Sequence, residues 1–242
     1  MSQESLTPEQ TTELLQWRDR KLSPKEIARQ MGLRPAIVSE FLRGHTELLA
    51  QERQEKGELA PLVGCSINQG AIAELLEPKR NIFGKKKSSD DSKGMAQITV
   101  ARMEKNRYLV SSFLIDYFCL GVKNALLKKC DRAKYEMLMQ ATSAGFGEEL
   151  QEISLEQAQA IIFGSIDYAA SLGFQPHPDF EEAKFILGPR LEKLQKIECG
   201  RSGKPFYIEG PRDNSGKIIR TLRESVGDGN FDYMAGVPAE FF

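Results

Sequence analysis

The sequence predicts an α+β protein: a small all-α domain of three helices, then an α+β domain built on an antiparallel sheet. Three observations carry this. Residues 7–44 hold three short amphipathic segments, with Pro8, Pro24 and Pro35 at their starts. Residues 79–93 break the pattern with lysine, serine and aspartate. Beyond them the period changes to runs rich in β-branched and aromatic residues. The expected divisions are a helical domain over 1–50, a connecting helix and basic flexible linker over 51–95, and the α+β domain over 96–242.

The first helix opens on Thr7, Pro8 and Gln10, the elements of a capping box with proline at the first position. Leu14, Leu15 and Trp17 give its apolar face. Ser23 and Glu26 repeat the box for a second helix, whose inward face is Ile27, Ala28 and Met31. Gly32 follows at once, where a left-handed residue ends a helix without a Cβ clash. Ala28 is small where the two neighbouring helices must cross. Pro35 starts the third helix, Ile37, Val38, Phe41 and Leu42 face inward, and Gly44 is its expected end.

Past the helix-prone stretch after Gly44, a short helix is expected from Asn68 to Glu77, stopped by Pro78. The segment 79–93 carries Lys79, Arg80, Lys85, Lys86, Lys87 and Lys93 against Asp90 and Asp91, and reads as linker. "AQITVARM" and "YLVSSFLIDYF" read as two antiparallel strands around the turn "KNR". "CLGVKNALLKKCDRAKYEMLMQAT" reads as a helix carrying Lys123, Lys128, Lys129, Arg132 and Lys134. Ser154 and Gln157 cap a further helix that ends at Gly173. Helix restarts after Pro178. "KIECGRSGKPFYIEG" reads as a hairpin, "NSGKIIRTLRESVG" as the last helix and the remainder as coil.

Composition limits the function classes. The 242 residues carry a net charge of −1, which argues against coating nucleic acid through bulk charge. Contact with nucleic acid must use a local basic surface. Cys65, Cys119, Cys130 and Cys199 form no C-x-x-C pair, and His45 and His177 are the two histidines, so neither a structural metal nor a cofactor is expected. The first ten residues have no secretory pattern, and no apolar run approaches the ~20 residues of a membrane span. A cytoplasmic protein with reduced thiols and no membrane partner is the expectation.

The run "SPKEIARQMGL" followed by "AIVSEFL" resembles the helix-turn-helix domains of bacterial transcription regulators and recombinases. That resemblance covers about a sixth of the chain. It implies a third helix in the DNA major groove, with Ser39, Glu40 and Arg43 toward the bases and Arg34 toward the backbone. Lys25 extends the basic edge. Between Lys21 and Arg43 there are three more basic than acidic residues. The outward face is short of Asn, Gln and Arg, the residues that make bidentate base contacts, and Glu40 opposes phosphate. The expected function is therefore DNA binding, most simply transcription regulation, with homodimerisation to enlarge a small interface. Two alternatives stand beside it: an RNA- or ribosome-associated protein using the lysine-rich segments, and a helix-turn-helix that only meets protein.

The C-terminal part resembles, in "IDYFCLGVKNAL", "GSIDYAASLGFQPHPDF" and "GRSGKPFYIEGP", an uncharacterised bacterial family, which implies no activity. Asp116, inside the apolar "LIDYF", needs a partner or a function. A metal-dependent nuclease would group it with carboxylates such as Asp167, Asp179 and Asp232. The simpler expectation is that Asp116 caps the next helix or pairs with Lys123. An enzyme is the less favoured class.

Overall fold

The computed structural model describes residues 6–20, 22–77 and 93–236, without the side chains of Arg43 and of residues 46, 47, 49–51, 53 and 54. Lys21 and most of the basic run 79–93 lie outside the described residues. The architecture is mixed helix and sheet, with a five-stranded antiparallel sheet, so the α+β class holds. The chain divides into two units, Met1–Ala60 and Pro61–Phe242.

In the first unit, α1 (Pro8–Asp19) and α2 (Pro24–Met31) start on reciprocal capping boxes, Thr7 with Gln10 and Ser23 with Glu26. Gly32 ends α2 at φ +63°, and Leu33 N–H returns to the Ala28 carbonyl at 2.9 Å. Helix α3 (Pro35–Glu55) does not stop at Gly44. One interior glycine costs only about 1 kcal/mol, and the residues beyond it are good helix formers. Leu14, Ile27, Ala28 and Val38 are buried together, with Trp17, Met31, Phe41 and Leu42 packed around them.

The second unit is organised by the sheet β4-β3-β2-β1-β5. Its strands are β1 (Leu62–Asn68), β2 (Met95–Glu104), β3 (Arg107–Asp116), β4 (Gly121–Cys130) and β5 (Leu150–Ile153). The β2–β3 hairpin is as expected. Strand β1 is not. It lies inside the sheet between β2 and β5, in a region the sequence reads as connecting, and α4 (Gln69–Leu75) follows it. Pro61 and Gly64 break the local pattern, and the β1 partners are remote in sequence, so no short-range signal marks the strand.

Residues 121–130 are a strand where a helix is expected. "KNALLKK" has good helix propensity, but residues 121–130 pair with β3 from Tyr108 to Asp116. Tertiary pairing outweighs a preference worth tenths of a kcal/mol per residue. The helix begins only at α5 (Arg132–Phe146), where Asp131 accepts the Lys134 amide at 2.9 Å.

One sheet face presents Ile67, Ile98, Phe113 and Ala125 in a row, with Ile115 and Val122 in the next. Helices α6 (Leu155–Ser171) and α7 (Phe180–Ala183), and the 3-10 turn Lys184–Leu187, cover that face through Ala158, Ile161, Ile162, Phe180, Ile186 and Leu187. The carbonyls at the end of α7 and its 3-10 turn would otherwise be buried and unpaired. Ser111 Oγ donates to Ala183, Arg102 Nε to Ile186 and Gln159 Nε2 to Leu187, at 3.0, 2.7 and 2.9 Å.

The expected hairpin at 196–210 is replaced by a different pairing. Arg201 and Lys204 make one isolated bridge, while β6 (Phe206–Ile208) pairs in parallel with β7 (Asp232–Met234) from the segment read as coil. Between these two strands, α8 (Ser215–Val226) buries Ile219 and Leu222 against Tyr207, Leu172 and Cys119.

Gly121 is a point of close approach between α6 and the start of β4. Its φ is +69°, and a Cβ there would lie 2.8 Å from Ala169 Cβ and 3.0 Å from the Ser165 carbonyl oxygen. Gly121→Ala combines left-handed strain with overpacking and is expected to destabilise the second unit by about 2–4 kcal/mol. Urea unfolding measures this. A change within about 0.5 kcal/mol, ordinary for a surface site, would mean that helix and turn are not this close.

Candidate functional site

In the first unit, the packing that buries Ile27, Ala28 and Val38 leaves Lys25, Arg29, Arg34, Ser39 and Glu40 exposed. The α2 capping box is tight: Ser23 N–H and Oγ both reach Glu26 Oε2, at 2.8 and 2.6 Å. Glu26 is thus held at the helix start, where its charge complements the dipole. These bonds hold the Glu26 carboxyl below its ordinary range. The Arg43 side chain, the remaining residue of the expected DNA-reading set, lies outside the described residues.

The second unit contains a cavity of about 680 Å³ at the start of β4 and the ends of β2 and β3 that meet it. Met95, Leu114, Phe118, Phe206 and Ile208 supply an apolar lining, and the Phe118 and Phe206 rings meet edge to face at 6.0 Å. Charged groups arrive from four segments: Lys93 before β2, Asp116 at the end of β3, Lys123 on β4, and Glu209, Arg212 and Asp213 after β6. His177 also borders it, positioned by its own N–H, which donates to the Val122 carbonyl at 2.9 Å.

Asp116 does not cap a helix. It is 4% exposed, and its Oδ1 accepts from the Phe118 and Cys119 amides at 3.0 and 2.9 Å. The carboxylate therefore folds the connection between β3 and β4. Lys123 is close enough to favour its charge, but the Lys123 hydrogen bond goes to Asp213, at 2.8 Å. Asp213 Oδ2 also accepts from Gly210 N at 2.9 Å and the Tyr207 hydroxyl at 3.3 Å. Burial works to raise the Asp213 carboxyl, and these partners outweigh it and hold it low. The network continues from Tyr207 to Ser215, and from Ser215 to Glu209 at 2.5 Å. This locks 207–215 into one loop against β4.

The carboxylates considered with Asp116 do not join it. Asp167 is paired with Arg190, Asp232 with Lys204, and Asp179 lies beside His177 Nδ1. Among the described residues, no group of three or more His, Cys, Asp or Glu side chains is placed to hold a metal ion. Cys119 is a buried core thiol whose burial pushes its titration far up, unlike a nucleophile. The basic set expected on one helix is dispersed. Lys123 faces the cavity, Lys128 and Lys129 lie on β4, and Arg132 and Lys134 open α5. Lys129 and Arg132 are paired with Glu104 and Glu136.

Comparison with protein families, curated proteins and solved structures finds no match to the chain. No helix among the described residues is long and apolar enough to cross a membrane. The cavity's members Lys93, Arg212 and Asp213 carry no motif. A signal for the last was available in "GPRDNSG", where an aspartate precedes a helix start, but its pairing with Lys123 is 90 residues away.

Burial pushes the Asp116 carboxyl from 3.8 up to about 6, against the pull of Lys123 and the backbone amides. The folded state thus holds this proton more tightly than the unfolded chain. Stability falls as pH rises through that window, and the whole cost, about 3 kcal/mol, is present above it. Asp116→Asn keeps an acceptor for both amides. Relative to wild type, its stability is expected to rise by about 2–3 kcal/mol between about pH 4 and 7. Urea unfolding at both ends reads this, and a pH-independent difference would remove burial as the cause.

Proposed function

We propose that the protein is a DNA-binding protein of the regulatory kind, with Met1–Ala60 as a helix-turn-helix reader. The observation that carries this is the α2–α3 pair. A capped eight-residue helix ends on a left-handed glycine, a second helix starts three residues later, and small Ala28 is buried between inward side chains. That is the packing a helix-turn-helix requires. It leaves Lys25, Arg29, Arg34 and Ser39 on the outside, where side chains of these types meet phosphate and base edges. Glu40 on the same surface disfavours sequence-independent binding and points to a reader that selects its site. The Pro61–Phe242 unit then has the sensing, dimerising or partner-binding part. A cytoplasmic site of action and a homodimer on a two-fold symmetric operator fit this reading.

The test is binding of the full chain to fluorescent random duplex DNA over a salt series, beside structured RNA. Duplex affinity is expected to fall steeply with salt. Lys25→Ala/Arg34→Ala is expected to weaken it and to flatten the slope of log K against log salt by about 1 for each phosphate that the substitutions release. Duplex binding that ignores the double substitution, or preference for RNA that survives it, would overturn the assignment to this unit.

A further inference from the structure

The geometry points to the cavity of the second unit as a binding site for a purine mononucleotide, an anionic ligand with a planar, N–H-bearing ring. The inference stands whether or not the first unit binds DNA. A volume of about 680 Å³ lies within the ordinary range of small-molecule sites. Its lining is divided in a way that specifies the occupant. Phe118, Phe206, Leu114 and Met95 offer an apolar bed for a flat ring. Two cations at the cavity, Lys93 and Arg212, have no carboxylate partner among the described residues and are exposed enough to take a phosphate. His177 adds a third donor. Its Nδ1 lies 3.3 Å from the Asp179 amide, beside that residue and not the cavity cations.

The carboxylates decide between kinds of ligand. Asp213 is ion-paired with Lys123 and takes Gly210 and Tyr207 on the same oxygen, Oδ2, and Glu209 takes Ser215 on one oxygen and the Gly236 amide on the other. Asp116 differs in being 4% exposed and held by backbone amides, Phe118 and Cys119 on Oδ1 with Leu120 close by, and not, among the described residues, by an ion pair, while a carboxylate has about four acceptor sites. A ligand that covers this buried group must bring it a hydrogen-bond donor, or desolvate it further. Fatty acids and simple aromatic acids have none to spare. An ammonium group would meet Lys123, whose charge already serves Asp116. A neutral N–H donor meets neither objection. Purine rings carry such donors on the edge of a flat body, and their phosphate supplies the anion that the two cations favour. Guanine, with adjacent ring and exocyclic N–H groups, matches a carboxylate best.

Isothermal titration of the full chain with GMP, AMP, guanosine and inorganic phosphate tests this. One GMP per chain is expected, with guanosine and phosphate each at least about tenfold weaker, since each uses half of the site. Arg212→Ala, an exposed substitution, is expected to lower GMP affinity about tenfold and leave guanosine affinity unchanged. Asp116→Asn is expected to reduce the preference for GMP over AMP, with thermal melting confirming that both variants fold. No saturable heat with any nucleotide at millimolar concentration would overturn the inference. So would phosphate binding as tightly as GMP, or GMP binding that both substitutions leave intact.

Discussion

A buried carboxylate sets the turn on which the second unit is arranged. Asp116 accepts two successive amides and so fixes the residues between β3 and β4. The neighbours of that connection are tied to it through the backbone. Tyr117 donates to the Gly94 carbonyl and accepts from Gly200, and Phe118 accepts from Phe206. The start of β2, the 200–206 segment and β6 all take their places from one turn. Side chains follow the backbone: Phe118 enters the main core and Cys119 enters the cluster under α8. The fold tolerates a carboxylate in this position because amides replace its water.

The same turn makes the two sheet faces unequal. On one side, Ile67, Ile98 and Phe113 meet α6 and α7 in a continuous apolar layer. On the other, α5 covers only the far end, through Tyr135 stacked on Tyr108 at 4.4 Å and Leu138. Near Asp116 the 206–213 loop takes the place of a covering helix and closes over the sheet end. The Lys123–Asp213 pair pins that loop, with side chains about a tenth to a fifth exposed. At such burial the pair is screened less than a surface bridge. A concave, half-apolar space with fixed charges results, and it is the kind of surface on which ligand recognition is built.

The two units thus present opposite physics. The first exposes the basic side chains Lys25, Arg29 and Arg34 to water, where electrostatic attraction is long-ranged and governed by salt. The second offers a cavity whose charged groups are partly buried and tied by hydrogen bonds, so that desolvation bears on what enters.

Local chemistry alone determined the capping boxes, among them that of α6, the left-handed glycine after α2, the β2–β3 hairpin and the place of Asp116 in an apolar strand. Each depends on residues within a few positions of one another, where periodicity and cap stereochemistry act. Only the tertiary structure decided that 62–68 is an inner strand, that 121–130 pairs instead of coiling, and that β6 takes its partner from near the chain's end. It also decided which charges meet. Lys123 reaches Asp213 across 90 residues, and Asp116 joins neither Asp167 nor Asp232. Sheet pairing and cavity lining are contacts of remote segments, and their energies exceed the local propensities that a linear reading can weigh.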